Sequence, residues 1–152
     1  MNNENKIIIY QVFTRLFGNN NNHCVYNGDI VTNGCGKMAD FTLKALSEIK
    51  KLGTTHIWYT GIIEHATQTD YRRYNISPDH PAIVKGKAGS PYAIKDYYDV
   101  DPDLANDIPE RMREFENLVR RTHRAGLKVI IDFVPNHVAR QYHSDAQPDG
   151  IT

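Results

Sequence analysis

The stretch from Gly126 to Val138, Gly-Leu-Lys-Val-Ile-Ile-Asp-Phe-Val-Pro-Asn-His-Val, constrains the fold of this chain more than any other. Its apolar run over residues 129–131 predicts a strand buried on both faces, as in a parallel sheet. Asp132 then interrupts the run with a charge. Pro135 cannot donate a hydrogen bond to a neighbouring strand, so we expect the strand to end before it.

Two polar residues, Asn136 and His137, follow this predicted strand directly. Polar groups at the carboxyl end of a parallel strand commonly face a ligand crevice. They also occur where a strand merely leaves the sheet and its polar side chains cap a loop. This stretch alone leaves both interpretations open.

The remaining apolar patterns predict two helices between three strands. In chain order, the predicted elements are a strand over 6–13, a helix over 40–52, a strand over 56–60, a helix over 107–125 and the strand over 129–131. Asp40 and Asp107 are the predicted N-caps, and Gly53 and Gly126 the predicted helix stops. A β-α-β-α-β order of this kind predicts a parallel sheet with right-handed crossovers.

The segment over residues 61–106 shows no sustained period and contains four of the chain's prolines. A connection of that length inside a compact domain is usually functional or disordered. We predict an ordered excursion with some short structure of its own, because the segment is rich in tyrosine: Tyr71, Tyr74, Tyr92, Tyr97 and Tyr98.

Charge and hydropathy exclude several classes of partner. The 18 Lys and Arg residues balance the 18 Asp and Glu residues, so no net field favours nucleic acid or an anionic membrane. No apolar run has the length of a membrane span. The apolar run over residues 7–9 is too short for a signal peptide, which predicts a cytoplasmic protein without a membrane partner.

Two metal patterns and one cofactor pattern are disfavoured. Cys24, Cys35 and His23 lack a standard zinc spacing. The acidic run over residues 99–110 matches an EF-hand at four positions, but Leu104 stands where that loop needs glycine. No Gly-x-Gly-x-x-Gly follows a predicted strand, which argues against a nucleotide-binding module.

Four stretches carry a resemblance to a known family. Asp132-Phe-Val-Pro-Asn-His137 resembles the first signature region of the α-amylase family, glycoside hydrolase family thirteen, at the end of its third barrel strand. Tyr10-Gln-Val-Phe13 and Leu52-Gly-Thr-Thr-His-Ile-Trp-Tyr-Thr60 resemble its first and second strands. The stretch from Tyr92 to Pro102 is similar to the family's Gly-Tyr-x-x-x-Asp-Tyr-x-x-Val-Asp-Pro. Two positions depart from the pattern: Gly61 replaces a usual proline and Pro91 a usual glycine.

The resemblance implies an α/β fold, a partial (β/α)8 TIM barrel. Residues 1–138 would form the first three strands and two helices of the catalytic barrel. Residues 139–152 would begin the small domain that the family inserts after its third strand. The parent enzyme would hydrolyse or transfer α-glucosidic bonds in starch-like glucans or oligosaccharides by a retaining mechanism.

The resemblance also assigns roles to four residues. Tyr92 would stack on the sugar at the non-reducing side of the cleaved bond, and His137 would hydrogen-bond that sugar. Asp132 would orient an arginine beside the nucleophile, so Asp132 and His137 are supporting catalytic residues. Asn136 would ligate calcium, or hold its loop where no metal is bound.

The family's nucleophile and acid come from its fourth and fifth strands, which lie beyond Thr152 on this alignment. We therefore expect residues 1–152 by themselves to be inactive, because a retaining glycosidase needs two carboxyl groups about 5 Å apart. The alternative from a different functional class is a noncatalytic carbohydrate-binding or scaffold protein with the same fold.

Overall fold

A computed structural model describes residues 6–151 of the chain. Residues 1–5 and 152, which the predicted domain ranges include, lie outside the described residues. The strands are β1 (Ile9–Phe13), β2 (His56–Thr60), β3 (Ile63–His65), β4 (Ile94–Val100) and β5 (Lys128–Ile131). The α-helices are α1 (Ile30–Asn33), α2 (Leu43–Lys51) and α3 (Arg111–Arg124). Short 3₁₀ turns cover Met38–Asp40, Arg72–Tyr74, Pro81–Ile83, Pro102–Leu104 and Ile108–Glu110.

Strands β1, β2 and β5 form one parallel sheet in the order β1-β2-β5. Gln11 of β1 is opposite Trp58 of β2, and Trp58 is in turn opposite Ile130 of β5. Because all three strands run the same way, their carboxyl ends meet at one edge of the sheet. The predicted β-α-β-α-β order and parallel sheet are confirmed, and the described residues contain no closed barrel.

Helix α2 begins later than predicted. Thr42 is its N-cap, and its hydroxyl accepts a hydrogen bond from the Ala45 backbone N–H at 3.2 Å. The predicted cap, Asp40, lies in the preceding 3₁₀ turn, where its carboxylate accepts the Lys37 backbone N–H at 2.7 Å. The assignment of Asp40 as the cap is therefore wrong, since a tighter turn uses that side chain first.

Helix α3 also begins after a 3₁₀ turn, and the predicted cap Asp107 makes no side-chain capping bond. The carboxylate of Glu114 instead accepts the backbone N–H groups of Asn106, at 3.0 Å, and Asp107, at 2.8 Å. The Glu110 N–H, which a capping Asp107 side chain would accept, donates instead to the Asp107 carbonyl at 3.0 Å, as in a 3₁₀ turn.

The core lies between the sheet and helices α2 and α3. Tyr59 of β2 is fully buried and packs edge-on against Phe41, with the ring centroids 4.9 Å apart. Its hydroxyl lies 2.6 Å from Thr122 Oγ1 on α3, so the buried phenol has a polar partner. Leu46 of α2 and Leu118 of α3 complete this layer and are inaccessible to solvent.

The opposite face of the sheet is open. Alternate side chains of a strand point to opposite faces, so Val12 is buried whereas its neighbour Phe13 is 36% exposed. The predicted burial of the third strand on both faces is wrong: Val129 and Ile130 are half-buried and Ile131 is 39% exposed. The reason is that β5 is an edge strand in the described residues, so nothing covers its far side.

The long excursion between β2 and α3 is ordered, as predicted. Its two strands, β3 and β4, pair antiparallel, with Ile63 opposite Val100 and His65 opposite Ile94. The segment after β5 then runs back beside β4: the Ala139 N–H donates to the Ile94 carbonyl at 2.7 Å.

Candidate active site

The end of β5 is tied to the end of β2 through Asp132. One carboxylate oxygen, Oδ1, accepts the indole N–H of Trp58 at 2.9 Å, and Oδ2 accepts the Gly61 backbone N–H at 3.2 Å. The carboxylate of Asp132, predicted at the end of a strand, therefore links the ends of two parallel strands through hydrogen bonds. Each carboxylate oxygen can accept a further hydrogen bond, so the group keeps some acceptor capacity.

The backbone conformation at position 61 explains why this chain has glycine where the family usually has proline. Its φ is +82°, in the left-handed region that proline cannot adopt. A Cβ atom at this position would lie 3.1 Å from Pro91 Cβ and 3.3 Å from Phe13 Cε2. Proline would also remove the N–H that donates to Asp132. Glycine at position 61 thus lets the excursion approach the strand ends closely.

A cleft of about 420 Å³ opens at the carboxyl ends of β1 and β2. It is lined by Gln11, Phe13, Thr60, Pro91 and Tyr92. The Gln11 side-chain N–H donates to Thr60 Oγ1 at 3.0 Å, which fixes the polar floor of this cleft. Tyr92 is 44% exposed, so part of a rigid aromatic side chain is available to a ligand. The predicted entry of Tyr92 into a pocket at the strand ends agrees with this geometry.

Asn136 and His137 lie elsewhere at this end of the sheet. Both are exposed, and His137 Nδ1 is 2.9 Å from Asn136 Oδ1. Neither residue lines the cleft beside Tyr92, and neither does Asp132. The structure therefore brings Gln11 and Tyr92 together, and it leaves the pair at 136–137 outside their cleft.

Strand β4 nevertheless holds Tyr92 and His137 on one scaffold. The segment carrying His137 is bound to β4 at both ends: the Tyr97 hydroxyl donates to the Val134 carbonyl, and the Ala139 N–H donates to the Ile94 carbonyl. Tyr92 immediately precedes the same strand. A displacement of β4 would consequently move both predicted sugar-contacting residues.

Sequence reasoning missed a buried histidine–aspartate pair beneath the excursion. His65 Nδ1 lies 2.8 Å from Asp101 Oδ2, and both side chains are almost inaccessible to solvent. Burial alone would lower the pKa of His65, but the adjacent Asp101 carboxylate outweighs it and holds that pKa above its ordinary value. His65 Nε2 lies 3.3 Å from the Ala88 carbonyl, so the imidazole supports the loop that leads to Tyr92.

The acidic run that resembled an EF-hand consists of ion-pair partners. Asp99 pairs with Arg111, Asp101 with His65 and Asp103 with Arg15. The alternation of acidic residues could have signalled one-sided pairing, because period two is the strand period. Their basic partners are distant in sequence and carry no local pattern.

A larger cavity of about 630 Å³ lies between the first long loop and the excursion. Its lining includes Asn19, Asn21 and Asn33, whose amides are already bonded within the loop. Asn19 donates to the Asn33 carbonyl, Asn21 to the Thr32 carbonyl and Asn33 to the Val25 carbonyl. These polar groups are therefore partnered without a ligand, and the Tyr92 cleft is the better candidate site.

A sequence model of one protein family, described as the catalytic domain of alpha amylase, matches residues 11–147. The chain belongs to the α-amylase family. This match covers β2, β5, the last three residues of β1 and the strand-end residues described above. The predicted family and the predicted fold, part of an α-amylase barrel, are confirmed.

Among individual proteins, the chain is similar to members with different roles. It is 26% identical over 137 residues to the trehalose-6-phosphate hydrolase of Bacillus subtilis, covering 90% of the chain and 18% of that protein. It is 28% identical over 134 residues to the mouse amino acid transporter heavy chain SLC3A1, covering 88% of the chain and 14% of that protein.

A solved structure of a maltogenic α-amylase, AmyB from Thermotoga neapolitana, superposes with a TM-score of 0.56 at 29% identity. It covers 93% of this chain, which in turn covers 26% of that protein. The chain thus corresponds to a small part of the α-amylase-family proteins that it matches. Among residues 6–151, no helix combines the length and the hydropathy needed to cross a bilayer.

Proposed function

We propose that the chain is the N-terminal part of the catalytic barrel of a retaining glycosidase that hydrolyses or transfers α-glucosidic bonds in glucans or oligosaccharides. The observation that carries this proposal is the Tyr92 cleft at the carboxyl ends of parallel strands, in a chain of the α-amylase family. In barrels of this class the active site lies at that end.

The open face of the sheet supports the barrel part of the proposal. Ile9 and Phe13 are exposed on β1, on the face opposite Tyr10 and Val12, which pack on the core beneath the helices. In a closed barrel, the face away from the helices is the packed interior. Further strands beyond β5 would bury these apolar side chains.

In the proposed enzyme, Tyr92 offers an aromatic face to the C–H face of a glucosyl unit, and His137 hydrogen-bonds its hydroxyls. Asp132 holds the ends of β2 and β5 together and would orient an arginine from a later strand. Asp132 is not proposed as the nucleophile, because its carboxylate is already engaged by Trp58 and Gly61. The nucleophile and the acid would come from strands outside the chain.

The side chain of Asn136, where the family resemblance implies calcium, already has a partner. Asn136 Oδ1 is engaged by His137 Nδ1, and the amide is exposed. This arrangement suits the loop-holding role of Asn136 better than ligation, since the oxygen would have to leave the imidazole to bind a metal. Calcium ligation by Asn136 stays a prediction.

The alternative, a noncatalytic protein with the same fold, rests on one specific observation. The mouse transporter heavy chain is about as similar to this chain as the bacterial hydrolase is, at 28% and 26% identity over nearly the same length. Similarity at this level therefore does not distinguish a glycosidase from a protein named as a transporter heavy chain.

Expression of the complete protein that contains this chain tests the proposal. We expect turnover of an α-glucoside, with the α-configuration retained in the first product observed by NMR. Saturable oligosaccharide binding without turnover would support the noncatalytic alternative. Absence of both binding and turnover over a panel of α-glucans and α-glucosides would contradict both.

A further inference from the structure

Three carboxylates from separate parts of the chain converge away from the Tyr92 cleft. Glu64 lies on β3, Asp99 on β4 and Asp145 in the segment after β5, and one oxygen from each lies within 4.8 Å of the other two. None of the three lines the Tyr92 cleft. This carboxylate cluster therefore has no part in the proposed sugar chemistry.

The scaffold holds the three carboxylates in place. In the β3–β4 ladder, Glu64 is opposite Asp96, whose own carboxylate is fully buried. Asp96 Oδ2 accepts the Ser144 hydroxyl at 2.8 Å and the Asp145 backbone N–H at 3.1 Å. Asp145 is consequently fixed beside the ladder, although it is exposed.

One oxygen in the carboxylate cluster lacks a partner. The Glu64 side chain is 1% exposed, and its Oε2 makes no hydrogen bond within the described residues. Its other oxygen, Oε1, is 3.5 Å from Lys95 Nζ, a distance too long for a good hydrogen bond. A buried carboxylate oxygen without a partner is costly, so this position calls for a cation or a proton.

The nearby basic residues leave negative charge uncompensated. Arg111 pairs with Asp99, while Lys95 is shared between Glu64 and Asp79. Among residues 6–151, no lysine, arginine or histidine forms an ion pair with Asp145. Burial, together with the charges of Asp145 and Asp99, raises the pKa of Glu64 to about 8 despite Lys95.

We propose that Glu64, Asp99 and Asp145 form a calcium-binding site. Calcium prefers carboxylate oxygens at about 2.3–2.6 Å, so two oxygens on one ion can lie up to about 5 Å apart. The separations in the carboxylate cluster fall within that limit. Calcium also tolerates the irregular geometry of ligands from three segments, whereas magnesium demands a nearly ideal octahedron.

Calcium at this site would join the segment after β5 to the β3–β4 hairpin. That segment carries His137 and the hairpin carries the loop before Tyr92, so the ion would stabilise the framework between them. The site is separate from the one predicted at Asn136, because it shares no ligand with it. Its existence does not depend on whether the protein is a catalyst.

Calcium binding to the complete protein, stripped of metal with a chelator, is the test. We expect isothermal titration with calcium chloride near neutral pH to give one more bound ion for wild type than for Glu64→Gln or Asp145→Asn. Asp107→Asn and Asn136→Ala are matched controls that leave this site intact. Adding Glu64→Gln to either control should therefore reduce the number of bound calcium ions by one. Calcium should raise the melting temperature of wild type more than that of Glu64→Gln.

Unchanged stoichiometry in Asp145→Asn, or in a folded Glu64→Gln, would overturn the proposal. Asp145 is exposed, so Asp145→Asn should fold even if Glu64→Gln does not, which keeps the test decisive. An equal melting temperature for wild type with calcium and with chelator would also overturn it, and would indicate that Glu64 carries a proton in place of a metal.

Discussion

The indole N–H of Trp58 donates to Oδ1 of Asp132 across 2.9 Å, joining the ends of two strands that lie 74 positions apart in the chain. Gly61 donates to the other oxygen of the same carboxylate. The carboxylate of the family's signature region therefore positions the loop after β2 before any substrate is present. The role of Asp132 can therefore be tested by substituting its hydrogen-bond partner, Trp58.

Trp58→Phe should weaken the joint between β2 and β5 while keeping an aromatic ring in place. A hydrogen bond to a charged acceptor contributes about 1.5–3 kcal/mol, and partial solvent exposure places the expected loss in the free energy of unfolding near the lower end. Chemical denaturation of the complete protein measures this loss. Tyr26→Phe is the control, because Tyr26 is 99% exposed and should change little. Equal stability of Trp58→Phe and wild type would contradict the role of this bond.

His137→Ala should lower kcat/KM for an α-glucoside about a hundredfold, or 2–3 kcal/mol, by removing a sugar hydrogen bond that strengthens in the transition state. His123→Ala is the matched control, since His123 is exposed on α3 and distant in the fold from the strand ends. Steady-state kinetics of the complete enzyme gives both values. If His137→Ala were as active as wild type, the predicted role of His137 would be wrong.

Tyr92→Ala should produce a comparable defect for a different reason, the loss of aromatic contact in the cleft. Tyr92→Phe keeps the ring and should retain activity within about threefold, because stacking depends on the ring and not on the hydroxyl. Comparing the two variants in kinetics and in oligosaccharide binding separates stacking from hydrogen bonding. A defect in Tyr92→Phe as large as that in Tyr92→Ala would rule out stacking as the main contribution.

The two cysteines should differ in their reaction with iodoacetamide. Cys24 is exposed, whereas Cys35 is half-buried, and burial together with Asp103 raises the pKa of the Cys35 thiol to about 11. At pH 8 only about one Cys35 thiol in a thousand would be a thiolate, the reactive form. Peptide mass spectrometry of briefly treated native protein should find Cys24 modified first. Equal labelling of both should appear only in denaturant.

Local sequence patterns predicted the parallel sheet because each of its strands and helices is marked by residues that are close together in the chain. The apolar run at 129–131 and the glycines after each helix carried that information. The helix starts were misplaced because Asp40 bonds within a tighter turn and because a further 3₁₀ turn, Ile108–Glu110, separates Asp107 from α3. A choice among several nearby acceptors depends on backbone geometry that residue type alone does not specify.

The β3–β4 hairpin was hidden for another reason. Its pairing joins Ile63 to Val100, so neither strand has its partner nearby in sequence. Strand β4 also buries charged residues, Lys95 and Asp96, which interrupts the apolar alternation that marks a strand. The same buried charges surround the carboxylate cluster, which only the folded chain brings together.

Gly61→Pro would restore the residue usual in the family, yet it should impair this protein. Proline cannot adopt the φ of +82°, and it cannot donate the N–H that Asp132 accepts. We expect a loss of several kcal/mol in the free energy of unfolding, comparable to that of proline at other hydrogen-bonded positions, about 3 kcal/mol or more. Denaturation of the complete protein, together with its kcat/KM, measures the effect.

Two alanine variants separate the causes. Gly86→Ala meets only backbone strain, since φ there is +67° and nothing lies within 4 Å of the added Cβ. Gly61→Ala adds the close contacts with Pro91 and Phe13 but keeps the N–H. The loss in the free energy of unfolding should therefore be smallest for Gly86→Ala, larger for Gly61→Ala and largest for Gly61→Pro. If Gly61→Pro were neutral, the loop after β2 would have to follow the family's usual path, and the Tyr92 cleft would need a different shape.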